Sequence, residues 1–174
     1  MKYIYNLVIR AFLAILIPFN LFLFIFKPLT IYPVYFILNI IGYKGYISFD
    51  SLVVNNQSLI FAPACIAAAA YYLLLLLVLF TKDLSIKKSI IIFLSGSFLI
   101  LIMNIIRIII LSILVLNYNY NWFNIIHMFF WYIVSGAYVA FIWILLVYLF
   151  KIKSIPIYSD LKYLYNKSIL KKYL

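Results

Sequence analysis

Apolar residues gather into long blocks separated by short polar or basic segments. The blocks cover about residues 3–26, 62–80, 89–116 and 125–150. A helix needs about 20 mostly apolar residues to cross the hydrocarbon core of a bilayer, and each block reaches about that length. The pattern therefore predicts an all-α membrane protein with four transmembrane helices.

A shorter apolar stretch covers residues 28–41, contains Pro33 and is followed by Gly42 and Gly45. At about 1.5 Å per residue, a helix of this length reaches about two thirds of the way across a bilayer. We expect an external interfacial or re-entrant helix here. A fifth transmembrane helix is the alternative.

Residues 46–62 differ from the rest because polar and apolar residues alternate loosely around the turn signal Asn55 and Asn56. This pattern predicts a small external hairpin, which must lean on the outer helix ends because a bare hairpin is marginal in water. The hairpin directly precedes Pro63. It is either a docking edge for an extended peptide or a passive connecting loop.

Composition and charge agree with a membrane protein. The chain is 70% hydrophobic, and it has 14 Lys and Arg residues but only three acidic ones, which gives a net charge of +11. Soluble proteins are about 25% charged, whereas this chain is 10% charged. The basic residues flank apolar blocks, so we expect no nucleic-acid partner.

The distribution of basic residues predicts the orientation. With both termini in the cytoplasm, only Lys27 and Lys44 lie outside, which satisfies the positive-inside rule. The basic residues then placed inside are Lys2, Lys82, Lys87, Lys88, Lys151, Lys153, Lys162, Lys167, Lys171 and Lys172. We expect a multi-pass plasma-membrane protein with one helical domain over residues 1–150. Residues 151–174 are expected to form a basic amphipathic tail on the inner leaflet.

The scarcity of chemically active residues excludes several classes of enzyme. One His, one Cys and three acidic residues do not make a convincing zinc site. Disulfide exchange needs a second cysteine, and four scattered glycines leave no phosphate-binding loop. We therefore expect neither a metal nor a cofactor.

Cys65 falls in the first turn of the second predicted helix, just after Pro63, which suits the first helical position. The positive end of the helix dipole favours a thiolate there, and a thiolate is the nucleophilic form of cysteine. The alternative interpretation is that Cys65 serves only as a small apolar packing residue.

Arg107 lies well inside the third predicted helix, where a charge costs at least about 2.5 to 3.5 kcal/mol on insertion scales. It is about nine residues, roughly 14 Å, from the predicted helix end, which argues against snorkelling. Asn104, at i−3, shares its face and is placed to hold the guanidinium. We expect Arg107 to face a polar cavity, an oxyanion or backbone carbonyls.

His127 opens the fourth predicted helix and is either functional or an incidental interfacial residue. The orientation set by the lysines places Cys65 and His127 near the outer boundary. Arg107 lies deeper in the same half, so we predict that the three side chains meet in one outer pocket.

The predicted helices carry a cysteine, then an Asn-x-x-Arg motif, then a histidine at the start of the next helix. This order resembles that of the exosortase and archaeosortase family of membrane cysteine transpeptidases. Asn104 and Arg107 match its arginine motif, and residues 38–42, followed by the polar hairpin and Cys65, resemble its approach to the cysteine. The resemblance covers roughly residues 28–140. After the cysteine the family commonly has a hydroxyl residue and a glycine, where this chain has Ile66 and Ala67.

The resemblance implies acyl transfer on exported proteins that carry a C-terminal transmembrane sorting signal. Cys65 would form a thioester with the substrate, Arg107 would stabilise the oxyanion or the thiolate, and His127 would act as general acid and base. A membrane lipid or surface anchor is the implied acceptor. The residues alone also allow a non-catalytic membrane scaffold, or a small transporter that binds an anion at Arg107.

Overall fold

The computed structural model describes residues 2–48, 51–55, 57–82, 84–117, 120–130, 135–152, 154, 156 and 158. Within these ranges the chain is mostly helical, with one small sheet and one 3-10 turn, which spans Pro63–Ile66. The helices are α1 (Lys2–Leu16), α2 (Phe19–Ile41), α3 (Ala68–Leu79), α4 (Ile86–Asn117), α5 (Tyr120–Phe129) and α6 (Ser135–Leu149). The strands are β1 (Gly45–Ser48), β2 (Ser51–Val54) and β3 (Gln57–Ile60).

The first predicted helix, over residues 3–26, is wrong as a single helix. α1 ends at Leu16, and Pro18 precedes α2 with extended backbone angles. Proline lacks an N–H and disfavours a helical residue before it, so the break falls here. α2 then runs through Pro28 and Pro33 to Ile41, and a separate helix over residues 28–41 is therefore also wrong.

Two helices of the described ranges, α2 and α4, are long and apolar enough to cross a membrane by length and composition. α4 confirms a helix over the third predicted block, residues 89–116. α3 and α6 are apolar but have only 12 and 15 residues. The total of four transmembrane helices stays a prediction.

The second and fourth predicted helices have different boundaries in the structure. α3 begins only at Ala68, because Ala67 has a left-handed φ of 56° that separates the 3-10 turn from the helix. Over the fourth predicted block, residues 125–150, the structure has α5 and α6, and α5 already begins at Tyr120. Residues 131–134, between these two helices, lie outside the described residues.

The predicted hairpin is confirmed and is extended by one strand. The three strands are antiparallel in the order β1-β2-β3, and β2 and β3 are joined through Asn55, which has a positive φ of 49°. Asparagine tolerates this conformation better than most residues. Gly45 in β1 permits close strand pairing, since a Cβ there would collide with the Val53 carbonyl oxygen.

α1 and α2 run antiparallel to α3. Arg10 of α1 donates a hydrogen bond to the Thr81 carbonyl just after α3, whereas Phe26 of α2 stacks on Tyr71 near the start of α3. We call the end of the helix bundle at this residue the Thr81 end, and the opposite end, which carries the strands, the sheet end. The predicted tail lies almost entirely outside the described residues.

The buried side chains form two clusters that meet at the 3-10 turn. The cluster nearer the Thr81 end includes Ile66, and the cluster nearer the sheet end has Cys65 packed against it. In the first cluster, a Cβ on Gly96 would lie 2.7 Å from Leu74 and 2.8 Å from Leu146. The glycine therefore lets α4 approach α3 and α6 closely, and α4 becomes a fixed support for the turn that carries Cys65.

Candidate functional site

Cys65 lies on the 3-10 turn, so its expected place in the first turn of an α-helix is wrong. Its N–H donates to the Ala62 carbonyl at 2.8 Å, and the turn closes where the Ala67 N–H reaches the Ala64 carbonyl at 3.4 Å. Because Ala67 then turns left-handed, the chain does not continue as one helix through this point. The Cys65 carbonyl is thereby available to partners from other elements.

Two side chains of α4 hold this turn through its carbonyl groups. The Asn104 amide donates to the Cys65 carbonyl at 2.9 Å. One terminal nitrogen of Arg107, Nη2, donates to the carbonyls of Ala64 and Cys65 at 3.1 and 3.2 Å. The spacing of three residues puts Asn104 and Arg107 on the same face of α4. Arg107 was expected to face a polar cavity, an oxyanion or backbone carbonyls, and in the structure it binds backbone carbonyls.

Asn104 is deeply buried, with 4% of its surface exposed. Its amide oxygen is also buried and has no hydrogen-bond partner among the described residues. A buried acceptor without a partner typically costs about 1 to 3 kcal/mol. The position is therefore polar for a reason other than stability, which agrees with a role in positioning the Cys65 turn.

His127 lies in the last turn of α5, so its expected place at the start of a long fourth helix is wrong. Its ring stacks on Phe123, four residues earlier, with 5.3 Å between ring centroids and 8° between planes. This stacking on the same helix face sets the direction in which the imidazole points.

Two cavities join the three predicted site residues. One of about 270 Å³, which we call the Cys65 cavity, lies between β3, α4 and α5 and is lined by both Cys65 and His127. A second, of about 360 Å³, is lined by Arg107, His127 and Ala64. The structure thus brings Cys65, Arg107 and His127 together, with His127 bordering both spaces. The Cys65 thiol is free and partly exposed.

Tyr71 belongs to this region and was missed by sequence reasoning. Its side chain is fully buried, its hydroxyl has no hydrogen-bond partner among the described residues, and it lies within electrostatic range of Arg107. It is one of 17 tyrosines in an apolar chain, so its residue type carries no distinguishing signal. Only the packing of α3 against α4 reveals it.

Metal ligands do not gather in the described part of the chain, where no group of three His, Cys, Asp or Glu side chains comes together. The three aspartates, Asp50, Asp83 and Asp160, lie outside the described residues. Comparisons with protein-family models, curated proteins and solved structures find no match to this chain.

The left-handed Ala67 yields a test of the local geometry. This conformation costs an alanine about 1 to 2 kcal/mol and costs glycine almost nothing. After allowance for the greater freedom of glycine in the unfolded chain, Ala67→Gly is expected to raise the free energy of unfolding by up to about 1 kcal/mol. Thermal unfolding of the purified protein in detergent measures the change.

The matched control is Ala140→Gly, at an exposed position inside α6. Glycine there is expected to lower the stability by about 1 kcal/mol, as in other helix interiors. Opposite signs for the two variants support the break at residue 67. Equal losses would mean that Ala67 is part of a continuous helix.

Proposed function

We propose that this chain is a multi-pass membrane cysteine transpeptidase that cleaves the C-terminal sorting signal of exported proteins and transfers them to a lipid or surface anchor. The observation that carries the proposal is the hydrogen bond from Arg107 to the Cys65 carbonyl, next to a cavity that both Cys65 and His127 line. A thiol, a guanidinium and an imidazole in one place provide a nucleophile, a charge stabiliser and an acid–base group.

The membrane location is supported by outward-facing apolar side chains on several helices. Ile15 of α1, Phe24 of α2 and Tyr148 of α6 are 83%, 81% and 80% exposed. Large contiguous apolar surfaces on a soluble protein would promote association, whereas in a bilayer they contact lipid tails. Together with the long helices α2 and α4, this favours a bundle embedded in lipid.

The depth of the site follows from the length of α4. Arg107 is 21 residues beyond Ile86, the first residue of α4, which corresponds to about 30 Å of helix. This is also about the thickness of the hydrocarbon core. With the lysine-rich Thr81 end at the cytoplasmic boundary, Cys65 and Arg107 lie at the outer boundary, and the strands lie outside the membrane. An exported protein meets the site there.

The chemistry proceeds in two half-reactions. In the first, the Cys65 thiol gives its proton to His127, and the thiolate Sγ attacks the substrate carbonyl carbon. The C–S bond forms, the C–N bond breaks, and His127 passes the proton to the leaving amine. Arg107 stabilises negative charge on the thiolate or the oxyanion. In the second, a hydroxyl or amine acceptor attacks the thioester, His127 accepts its proton, and the Cys65 thiolate leaves.

The edge of β3 supplies a place for the substrate backbone. In a hairpin with a two-residue loop the flanking residues exchange hydrogen bonds, here Val54 and Gln57, and pairing then alternates along the ladder. Ser58, opposite Val53, therefore directs its N–H and C=O away from β2. Ser58 also lines the Cys65 cavity. We propose that an extended substrate adds to this edge as a further strand.

The test uses the fact that Cys65 is the only cysteine in the sequence. Intact cells expressing the wild type, Cys65→Ala or His127→Ala are treated with a membrane-impermeant biotinylated peptidyl chloromethyl ketone. We expect rapid labelling of the wild type from outside, none of Cys65→Ala, and at least tenfold slower labelling of His127→Ala. A substrate thioester on Cys65 that hydroxylamine releases is expected in the wild type alone.

The other two functions give different results in the same cells. In a scaffold, labelling is slow and does not depend on His127. In an anion transporter, loss of Arg107 abolishes anion flux, while Cys65→Ala leaves the flux unchanged. Either pattern would overturn the proposed transpeptidase.

A further inference from the structure

A large cavity, of about 560 Å³, lies at the Thr81 end, away from Cys65. It separates α1 from the start of α4 and is bordered by the end of α3. Its walls are mostly apolar, and polar groups come from Asn6, Arg10, Thr81 and Ser89. About 10 Å of helix separates Ala68, which begins α3 after the Cys65 turn, from Leu75, the first α3 residue that lines the cavity. The two sites have no lining residue in common.

Arg10 gives this cavity its charge. It is half-buried, and its one hydrogen bond in the described part of the chain runs from Nη1 to the Thr81 carbonyl at 3.3 Å. A guanidinium has five N–H donors, so most of its donor capacity remains for a ligand. The bond to Thr81 fixes the side chain at the cavity wall and limits the entropy lost on binding.

The charge of the surrounding sequence is complementary to an anion. Five basic residues lie near this end along the chain, against one acid, Asp83, whose position falls outside the described residues. The basic residues are Lys2, Arg10, Lys82, Lys87 and Lys88. An anionic lipid surface attracts such a group by about 1 kcal/mol per basic residue.

We infer that this cavity binds one anionic phospholipid, with the phosphate on Arg10 and an acyl chain between α1 and α4. The planar guanidinium suits a phosphate because two N–H groups can bind two of its oxygens. The apolar walls, which include Leu13, Ile90 and Phe93, suit a hydrocarbon chain. The inference needs a bilayer around the bundle and does not depend on catalysis at Cys65.

The experiment measures binding of phosphatidylglycerol to the purified full chain in detergent, by native mass spectrometry and by the shift in melting temperature. Phosphatidylcholine with the same acyl chains and inorganic phosphate serve as comparison ligands. We expect retention of phosphatidylglycerol alone, and about tenfold weaker retention by Arg10→Ala, since a hydrogen bond to a charged group of this kind is lost.

Arg10→Ala also loses the bond to Thr81, so a second variant separates binding from folding. Ile90→Trp adds bulk to the cavity wall and leaves Arg10 in place, and we expect it to weaken lipid binding. Lys44→Ala removes a positive charge outside the cavity and is expected to bind as the wild type does. Equal retention of both lipids, equal stabilisation by inorganic phosphate, or full binding by Ile90→Trp would each overturn the site.

Discussion

Replacing Arg107 by alanine is expected to slow acylation of Cys65 by about 10²- to 10³-fold, the usual effect of losing a donor that stabilises an oxyanion. The loss has two physical parts. The positive charge beside the thiol disappears, and the carbonyls of Ala64 and Cys65 lose the donor that holds the turn. The rate of labelling by the peptidyl chloromethyl ketone measures the effect.

Two companion variants separate these parts. Arg107→Lys keeps the charge but loses the guanidinium whose Nη2 donates to both carbonyls, so we expect a rate between those of the wild type and the alanine variant. Ile106→Ala changes the neighbouring side chain, which is 46% exposed, and is expected to react at the wild-type rate. If Arg107→Ala reacts as fast as Ile106→Ala, Arg107 has no part in the chemistry.

Ser58→Pro is expected to slow the reaction of Cys65 with the peptidyl probe by tenfold or more, while its reaction with iodoacetamide stays unchanged. Proline removes the outward N–H at the edge of β3 and leaves the ladder to β2 intact, because Ser58 lies at a non-hydrogen-bonded position. Loss of one backbone hydrogen bond to the substrate accounts for a change of about tenfold.

The controls use the same strand. Ser58→Ala keeps the N–H and is expected to behave as the wild type, whereas Leu59→Pro breaks the ladder and is expected to disturb the sheet itself. If Ser58→Pro and Ser58→Ala react equally with the peptide, the substrate does not add to β3. That result would leave the proposed transpeptidase standing, since it concerns only how the backbone is bound.

Much of the site was predictable from the sequence because its residues are rare. The only Cys, the only His and an arginine inside an apolar block stand out by residue type alone. Asn104 was found because i and i+3 share a helix face. Its expected hydrogen bond to the guanidinium is wrong, since its amide donates to the Cys65 carbonyl and its amide oxygen has no partner among the described residues. α4 was predictable because no proline interrupts its apolar run.

The predicted helix boundaries were wrong where tertiary packing determines where a helix begins or ends. Pro18 separates two helices, whereas Pro28 and Pro33 lie inside α2. All three prolines lack the N–H that a helix interior needs, so the local sequence does not distinguish them. Around Pro28 and Pro33, buried residues such as Phe26, Val34 and Leu38 hold α2 against its neighbours, which compensates for the missing N–H groups. Ala67 gave no signal of its left-handed conformation because alanine ordinarily favours a helix.

The depth of Arg107 in the membrane cannot be read from its distance to the end of α4. Distance along the sequence to the end of α4 is not distance to water, because the last turns of α4 pack against the strands and α2, and Asn117 donates a hydrogen bond to the Tyr43 hydroxyl. In the proposed orientation these turns stand above the bilayer. The arginine then lies at the boundary, where its charge is far less costly than at the centre.

The hydrogen bonds from Asn104 and Arg107 to the Cys65 carbonyl also determine when, during synthesis, the Cys65 turn reaches its final structure. The turn is made early, but its two supports lie 39 and 42 residues further along the chain. Because chains fold from the N-terminus as they are translated, the cysteine reaches its final setting only after α4 has left the ribosome. His127 on α5 follows later still, so the three side chains proposed to act together meet only after α5 has been made.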